Sequence, residues 1–185
     1  MDTDGIREPM SNHFFITGLP RSRTAWLANL LTYGRSYCFH EALRHGEDLK
    51  PLFEGVNADY IGDSDCGIPF YTDRILKDFP GAKFVMIERC AKDVQASLEK
   101  VFKEDMGEIM GLCLNKLQEF REKISPLVVR FEDLNNLSTL RQIWRHCLSD
   151  EPMNLSRTIM LKNFKVEVTN DYINKLKGRR VACLG

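Results

Sequence analysis

The chain has 185 residues, and its 26 lysine and arginine residues balance its 26 aspartate and glutamate residues, so the formal net charge at pH 7 is zero. Hydrophobic residues make up 43% and charged residues 28%, which is typical of a globular domain. The zero net charge argues against a nucleic-acid-binding or membrane-surface protein, because these usually carry a basic excess. No apolar run approaches a membrane span, and the acidic, polar beginning is not a secretory signal. We therefore expect one cytoplasmic domain over residues 1–185, with residues 1–12 as a loose lead-in.

Short apolar runs alternate with helical patterns along the chain. The runs predict buried strands at His13–Thr17, Ser36–Phe39, Tyr60–Asp63, Lys83–Ile87 and Leu127–Val129. Helical periodicity predicts helices at Thr24–Tyr33, Tyr71–Phe79, Lys92–Phe102, Asp105–Lys123 and Ser138–Cys147, then a looser helical segment through Lys177. This alternation predicts an α/β domain with a central, mostly parallel sheet of four or five strands flanked by helices. In such sheets the ligand site lies at the carboxyl ends of the strands.

The segment between the first strand and the first helix has the features of an anion-binding loop. It reads Gly18-Leu19-Pro20-Arg21-Ser22-Arg23-Thr24-Ala25-Trp26. Amide groups at the start of a helix bind anions, Arg21 and Arg23 add positive charge, and Ser22 and Thr24 add hydroxyls. The loop lacks the second glycine and the lysine of the P-loop found in nucleotide kinases. The alternative is an ordinary turn capped by Thr24, with both arginines in solvent.

Three segments together resemble one family, the sulfotransferases that use 3′-phosphoadenosine-5′-phosphosulfate (PAPS). The first loop, FFITGLPRSRTAWLANLL, resembles the family's P-R/K-S-G-T-x-W-L phosphosulfate loop. Arg89 and Ser97 have the spacing of the family's R-N-P-x-D-V-x-x-S segment, although Cys90 and Ala91 replace Asn and Pro. The segment 129–134 resembles V-x-Y-E-D-L, with Phe131 in place of Tyr. On this resemblance the chain is a small, bacterial- or phage-like member with a three-layer, P-loop-kinase-like fold.

The resemblance implies a role for each matching residue. Residues Pro20, Arg21, Ser22, Arg23, Thr24 and Ala25 would cradle the 5′-phosphosulfate, with Arg21 stabilising charge on the leaving group. Arg89 and Ser97 would hold the 3′-phosphate, and Phe131 would keep its family position as a ring beside the cofactor. Trp26 would stack on adenine, although its spacing with Leu27 and Leu30 equally suits a core residue. Arg23 stands where the family has glycine, so it either crowds the loop or brings another cation to the sulfate.

Sulfuryl transfer needs a base that takes the proton of the acceptor. Glu41 is the first candidate and His40 the second, because both follow the second strand; Glu41 could instead cap the turn that follows it. His45 and Asp65 are weaker candidates. The six scattered cysteines contain no C-x-x-C pair, so we expect reduced thiols and no metal site.

The expected reaction moves a sulfuryl group from PAPS to a hydroxyl or amine of a small molecule, glycan or peptide and releases 3′,5′-ADP. Two alternatives stay open at this point. One is a P-loop nucleotide-dependent kinase or other phosphotransferase, which would need Mg²⁺. The other is a non-catalytic protein that binds 3′,5′-ADP through a degraded site.

Overall fold

The computed structural model describes residues 12–45, 48–149 and 151–163. The strands are β1 His13–Gly18, β2 Ser36–His40, β3 Tyr60–Ser64, β4 Lys83–Glu88 and β5 Leu127–Arg130. The helices are α1 Thr24–Leu31, α2 Leu49–Glu54, α3 Thr72–Asp78, α4 Ala91–Phe102, α5 Gly107–Ile124, α6 Leu137–Leu148 and α7 Leu155–Lys162. Three short 3₁₀ turns cover Ala42–His45, Ile68–Tyr71 and Phe131–Asn135.

The five strands form one parallel sheet in the order β2-β3-β1-β4-β5. This confirms the predicted α/β fold class, with five strands and with every pair parallel. Strand β1 lies in the centre, where both of its faces are covered, so its apolar residues run without interruption. The carboxyl ends of β1, β3 and β4 therefore meet at one edge, which is where the predicted anion-binding loop begins.

The two faces of the sheet pack against separate helical layers, because successive side chains of a strand point to opposite faces. One layer contains Phe14 and Ile16 of β1 and the buried residues of α1 and α6. The other contains Phe15 of β1, Phe84 of β4 and the buried residues of α2, α3 and α5. The result is the three-layer arrangement that the resemblance predicts.

The main differences from the sequence prediction concern helices α1 and α2. Helix α1 ends at Leu31 rather than at Tyr33, because the Thr32 hydroxyl bonds to Cys38 of the next strand and ends the helix. Helix α2 was not predicted; Asp48 caps it by accepting a hydrogen bond from the Lys50 amide at 3.2 Å. The predicted helical segment through Lys177 appears as α7 up to Lys162, and its part beyond Asn163 lies outside the described residues.

Two side chains, Arg157 and Trp26, join helix α7 to α1 through hydrogen bonds. The Arg157 guanidinium donates to the carbonyl oxygens of Asn29, Leu30 and Thr32 at 2.5 to 3.0 Å, where α1 leaves its last carbonyls without helical partners. The Trp26 indole donates through Nε1 to the Leu161 carbonyl at 2.8 Å. Helix α7 is thereby fixed beside the loop that opens α1.

Candidate active site

The predicted anion-binding loop begins where β1 packs against β4. A Cβ atom on Gly18 would lie 2.6 Å from the carbonyl oxygen of Ile87, so only glycine fits there. The loop then turns into α1, whose N-cap residue, Arg23, makes no side-chain capping bond. The amides at the start of α1 therefore point out of the carboxyl edge of the sheet, as an anion site requires.

Arg21 and Arg23 both have left-handed backbone conformations, with φ of 67° and 62°. Arg23 occupies the position of the family's glycine, so the backbone keeps a conformation that glycine adopts without strain. For an L-residue this conformation costs roughly 1–2 kcal/mol.

The two segments predicted to bind phosphate groups contact each other directly. Arg21 donates from Nε to the Ser97 hydroxyl at 3.4 Å. Arg89 donates from Nη1 to the carbonyl oxygen of Arg21. Residues separated by about 70 positions in the sequence therefore form one polar surface, built from the β1–α1 loop and the β4–α4 junction.

Arg23 extends towards the turn that follows β5. Its Nη1 donates to Oδ1 of Asn135 at 2.9 Å. Its Cζ lies 5.2 Å from the Phe131 ring centroid and 6.0 Å from the Trp26 ring centroid. The Arg89 guanidinium stacks on the same Phe131 ring, with Cζ 4.0 Å from the centroid. Asn135 gave no sequence signal, because its role depends on a contact with a residue 112 positions away.

The site is strongly positive. Among the described ion pairs, none joins a carboxylate to Arg21, Arg23 or Arg89. Burial lowers the pKa of Arg89, and the charges of Arg21 and Arg23 lower it further, whereas the carboxylates of Asp93 and Glu132 oppose this shift. Three guanidinium groups lie close together, and none of them forms a direct ion pair among the described residues, which favours binding of an anion.

The remaining loop residues are placed differently. Pro20 and Ala25 are partly exposed, whereas Ser22 is fully buried and its hydroxyl has no hydrogen-bond partner. The Thr24 hydroxyl lies 3.3 Å from His40 Nε2, and the Thr24 carbonyl accepts from the Ser64 hydroxyl at 2.9 Å. Thr24 thus joins the loop to the ends of β2 and β3.

Trp26 is only 7% exposed and belongs to the core layer formed with α1 and α6. Its indole N–H is used by helix α7, as described above. The structure therefore shows the packing role that the sequence left open. Stacking of Trp26 on adenine stays a prediction.

The two leading base candidates lie next to the loop. His40 Nε2 is 3.7 Å from Glu41 Oε1, and the same nitrogen faces the Thr24 hydroxyl. Glu41 has a left-handed backbone with φ of 60°, which turns the chain sharply at the end of β2. His45 is the last residue of the following 3₁₀ turn.

The sequence reasoning assigned no role to one buried carboxyl group, that of Asp63 on β3. Asp63 is fully buried, and its Oδ1 accepts from the Ala42 amide at 3.4 Å, so it supports the turn after Glu41. Burial, and then the charge of Asp65, raise the pKa of Asp63 to about 7. Asp65 is also fully buried and accepts from the Gly67 amide at 2.7 Å. An aspartate inside an apolar strand is the signal that could have identified Asp63.

Solved sulfotransferase structures share this fold. The structure of a sulfotransferase from Alicyclobacillus acidocaldarius has a TM-score of 0.53 and 17% identity, and the match covers 89% of each chain. A sulfotransferase from Mycobacterium avium gives a TM-score of 0.57 at 11% identity, over 95% of this chain and 77% of that one. No protein-family model and no curated protein sequence matches the chain. At these identities the likeness shows the fold, which is the fold that the three motifs predict.

Two features are absent from residues 12–45, 48–149 and 151–163. No helix there is both long and apolar enough to cross a lipid bilayer. No cluster of three or more histidine, cysteine, aspartate or glutamate side chains suited to a metal ion occurs in the same part of the chain.

Proposed function

We propose that the protein transfers a sulfuryl group from PAPS to a hydroxyl or amine acceptor. The observation that carries this proposal is the direct contact between the two predicted phosphate-binding segments, from Arg21 to Ser97 and from Arg89 to the Arg21 carbonyl. PAPS carries phosphate groups at both ends of its ribose, so its binding site must join two such segments. The shared fold of the two sulfotransferases supports the same reaction class.

The residues present suit the chemistry of PAPS. The start of α1 offers amide donors, and Arg21 offers a guanidinium donor, to the 5′-phosphosulfate. Arg89 and Ser97 offer donors to the 3′-phosphate across the gap bridged by the Arg21–Ser97 bond. The partnerless hydroxyl of Ser22, buried below the loop, is a further donor at this edge. When bound, PAPS supplies an activated sulfuryl group.

Electrostatic stabilisation is the main catalytic contribution that this geometry supports. Negative charge develops on the bridging oxygen as the bond to sulfur breaks, and a fixed positive group beside it lowers the barrier. Arg21 is the first candidate for that group, because it is exposed at the loop and oriented by its bond to Ser97.

The acceptor must lose a proton as it is sulfated. Glu41 and His40 lie together at the end of β2, and the Thr24 hydroxyl links His40 to the predicted anion-binding loop. Either group could take the proton at hydrogen-bond distance from the acceptor. We expect Glu41 to be the base and His40 to orient it.

Thermal melting with three nucleotides tests the proposal. A ligand at about 100 times its dissociation constant stabilises a protein by roughly 2.7 kcal/mol. For a domain of this length the midpoint should rise by roughly 5–10 °C with 3′,5′-ADP. We expect no comparable shift with 5′-ADP or with ATP and Mg²⁺.

Arg89→Ala should weaken 3′,5′-ADP binding by at least about tenfold, the value of a hydrogen bond to a charged group. Arg141→Ala is the matched control, because Arg141 is an exposed residue of α6. A shift with ATP and Mg²⁺ alone would support the kinase alternative. Binding of 3′,5′-ADP without any release of it from PAPS, over a panel of phenols, alcohols, amines and sugars, would support the non-catalytic alternative.

A further inference from the structure

Arg23 has an unusual combination of backbone and side-chain environment. Its backbone is held in the left-handed region, which arginine seldom adopts. Its side chain is fixed by one hydrogen bond, to Asn135 at 2.9 Å. Residues in such conformations persist when surrounding contacts hold them, and they cluster at functional sites.

The Arg23 guanidinium lies beside two rings, which we call the ring pair: Trp26 and Phe131. Its Cζ is within 6.0 Å of both ring centroids. A guanidinium is planar and stacks on aromatic faces, as a nucleobase does. A base that contacts both rings would need the space that the guanidinium takes. Arg89 stacks on Phe131 at 4.0 Å, which leaves still less of that ring for a base.

We propose that Arg23 controls access of the nucleobase: its guanidinium, anchored by Asn135, fills the space beside the ring pair, so a base binds there only after displacing it. This inference rests on the proposed function, because it concerns the base of the same nucleotide. Binding of such a nucleotide breaks the Arg23–Asn135 hydrogen bond of the protein. This contact therefore weakens the affinity for any nucleotide whose base uses the ring pair. Binding of the phosphate groups alone does not carry this cost.

The decisive variant is Asn135→Ala, which releases Arg23 but keeps its charge. Asn135 is exposed, so the change should leave the fold intact. We expect 3′,5′-ADP to bind about fivefold more tightly, the equivalent of one hydrogen bond. Arg23→Gly removes the side chain and should tighten 3′,5′-ADP binding in the same direction. Asn136→Ala is the matched control, because Asn136 is the neighbouring exposed amide and its side chain bonds Asp133 instead.

Inorganic pyrophosphate is the base-free probe, measured by calorimetry beside 3′,5′-ADP on every variant. Asn135→Ala should leave its affinity unchanged. Weaker or unaltered 3′,5′-ADP binding in Asn135→Ala would overturn the proposal and make Arg23 a ligand of the nucleotide. Equal tightening of pyrophosphate would also overturn it, because the gain would then come from charge alone. If neither the parent nor any variant binds 3′,5′-ADP, the proposed function itself fails, whereas a parent that binds it while Asn135→Ala gains nothing refutes only the role of Arg23.

Discussion

Asp63→Asn should make the protein more stable at neutral and alkaline pH. The Asp63 side chain is fully buried on β3, and burial together with the charge of Asp65 raises its pKa from 3.8 to about 7. The folded protein therefore holds this proton more tightly than the unfolded chain does. Stability from this group is fully present below pH 4, declines as the pH rises, and is lost above pH 7. A rise of about three in the pKa of Asp63 corresponds to roughly 4 kcal/mol in the free energy of unfolding.

Asparagine removes the charge and keeps an oxygen that can accept the Ala42 hydrogen bond, which Asp63 accepts at 3.4 Å. At pH 8 the midpoint of Asp63→Asn should therefore lie on the order of 10 °C above that of the parent. At pH 4 the two proteins should melt within about 2 °C of each other, because the free-energy cost of burying an ionised Asp63 carboxylate is then nearly absent. The assay is a series of thermal melts from pH 4 to pH 8.

Asp73→Asn is the matched control, since the Asp73 side chain is 84% exposed and its loss should change the melting temperature little at any of these values. A difference between Asp63→Asn and the parent that stays constant from pH 4 to pH 8 would refute the reasoning. So would a variant that melts below the parent at pH 8, because the ionised carboxylate would then be stabilised by the fold.

Three further changes have defined outcomes. Gly62→Ala should lower the melting temperature by roughly 3–10 °C, because the new Cβ would lie 2.5 Å from the Phe14 carbonyl oxygen. In the control Gly55→Ala the new Cβ has no neighbour nearer than 3.5 Å, so the melting temperature should change by about 1 °C at most. Equal effects of the two changes would contradict the packing argument. Arg157→Ala should cost about 2 kcal/mol in urea unfolding, since α1 would lose the donor to its last carbonyls; a loss no larger than that of Arg141→Ala would show that these bonds contribute nothing. Glu41→Gln should slow release of 3′,5′-ADP from PAPS by about 100-fold with nucleotide affinity unchanged, and full activity in this variant would exclude Glu41 as the base.

The strands illustrate what local sequence can determine. Each predicted run lies within one residue of an observed strand boundary. The signal is strongest for β1 and β4, which lie inside the sheet and are apolar along most of their length. Helix α2 was missed for the opposite reason. It has only six residues, and short helices depend on tertiary packing for their stability. Here Leu49 and Phe53 of α2 pack into the same core as Phe15 and Phe84.

The candidate site divides in the same way. The predicted anion-binding loop, Arg89 and Ser97 could be proposed from sequence, because helix starts and residue spacings along one segment are local properties. The buried pairing of Trp26 with α7 could not be predicted, since its partner, Leu161, is 135 residues away. The support of the Glu41 turn by Asp63 likewise depends on the pairing of β2 with β3.

The sequence by itself determined the α/β fold, the positions of the five strands and the place of the loop between β1 and α1 that we predict to bind an anion. Only the tertiary structure decided that Arg21 meets Ser97, that Arg23 meets Asn135 and that three guanidinium groups share one surface. The physical reason is that periodicity and capping act within a few residues, whereas these contacts arise where parallel strands bring distant segments to one edge of the sheet.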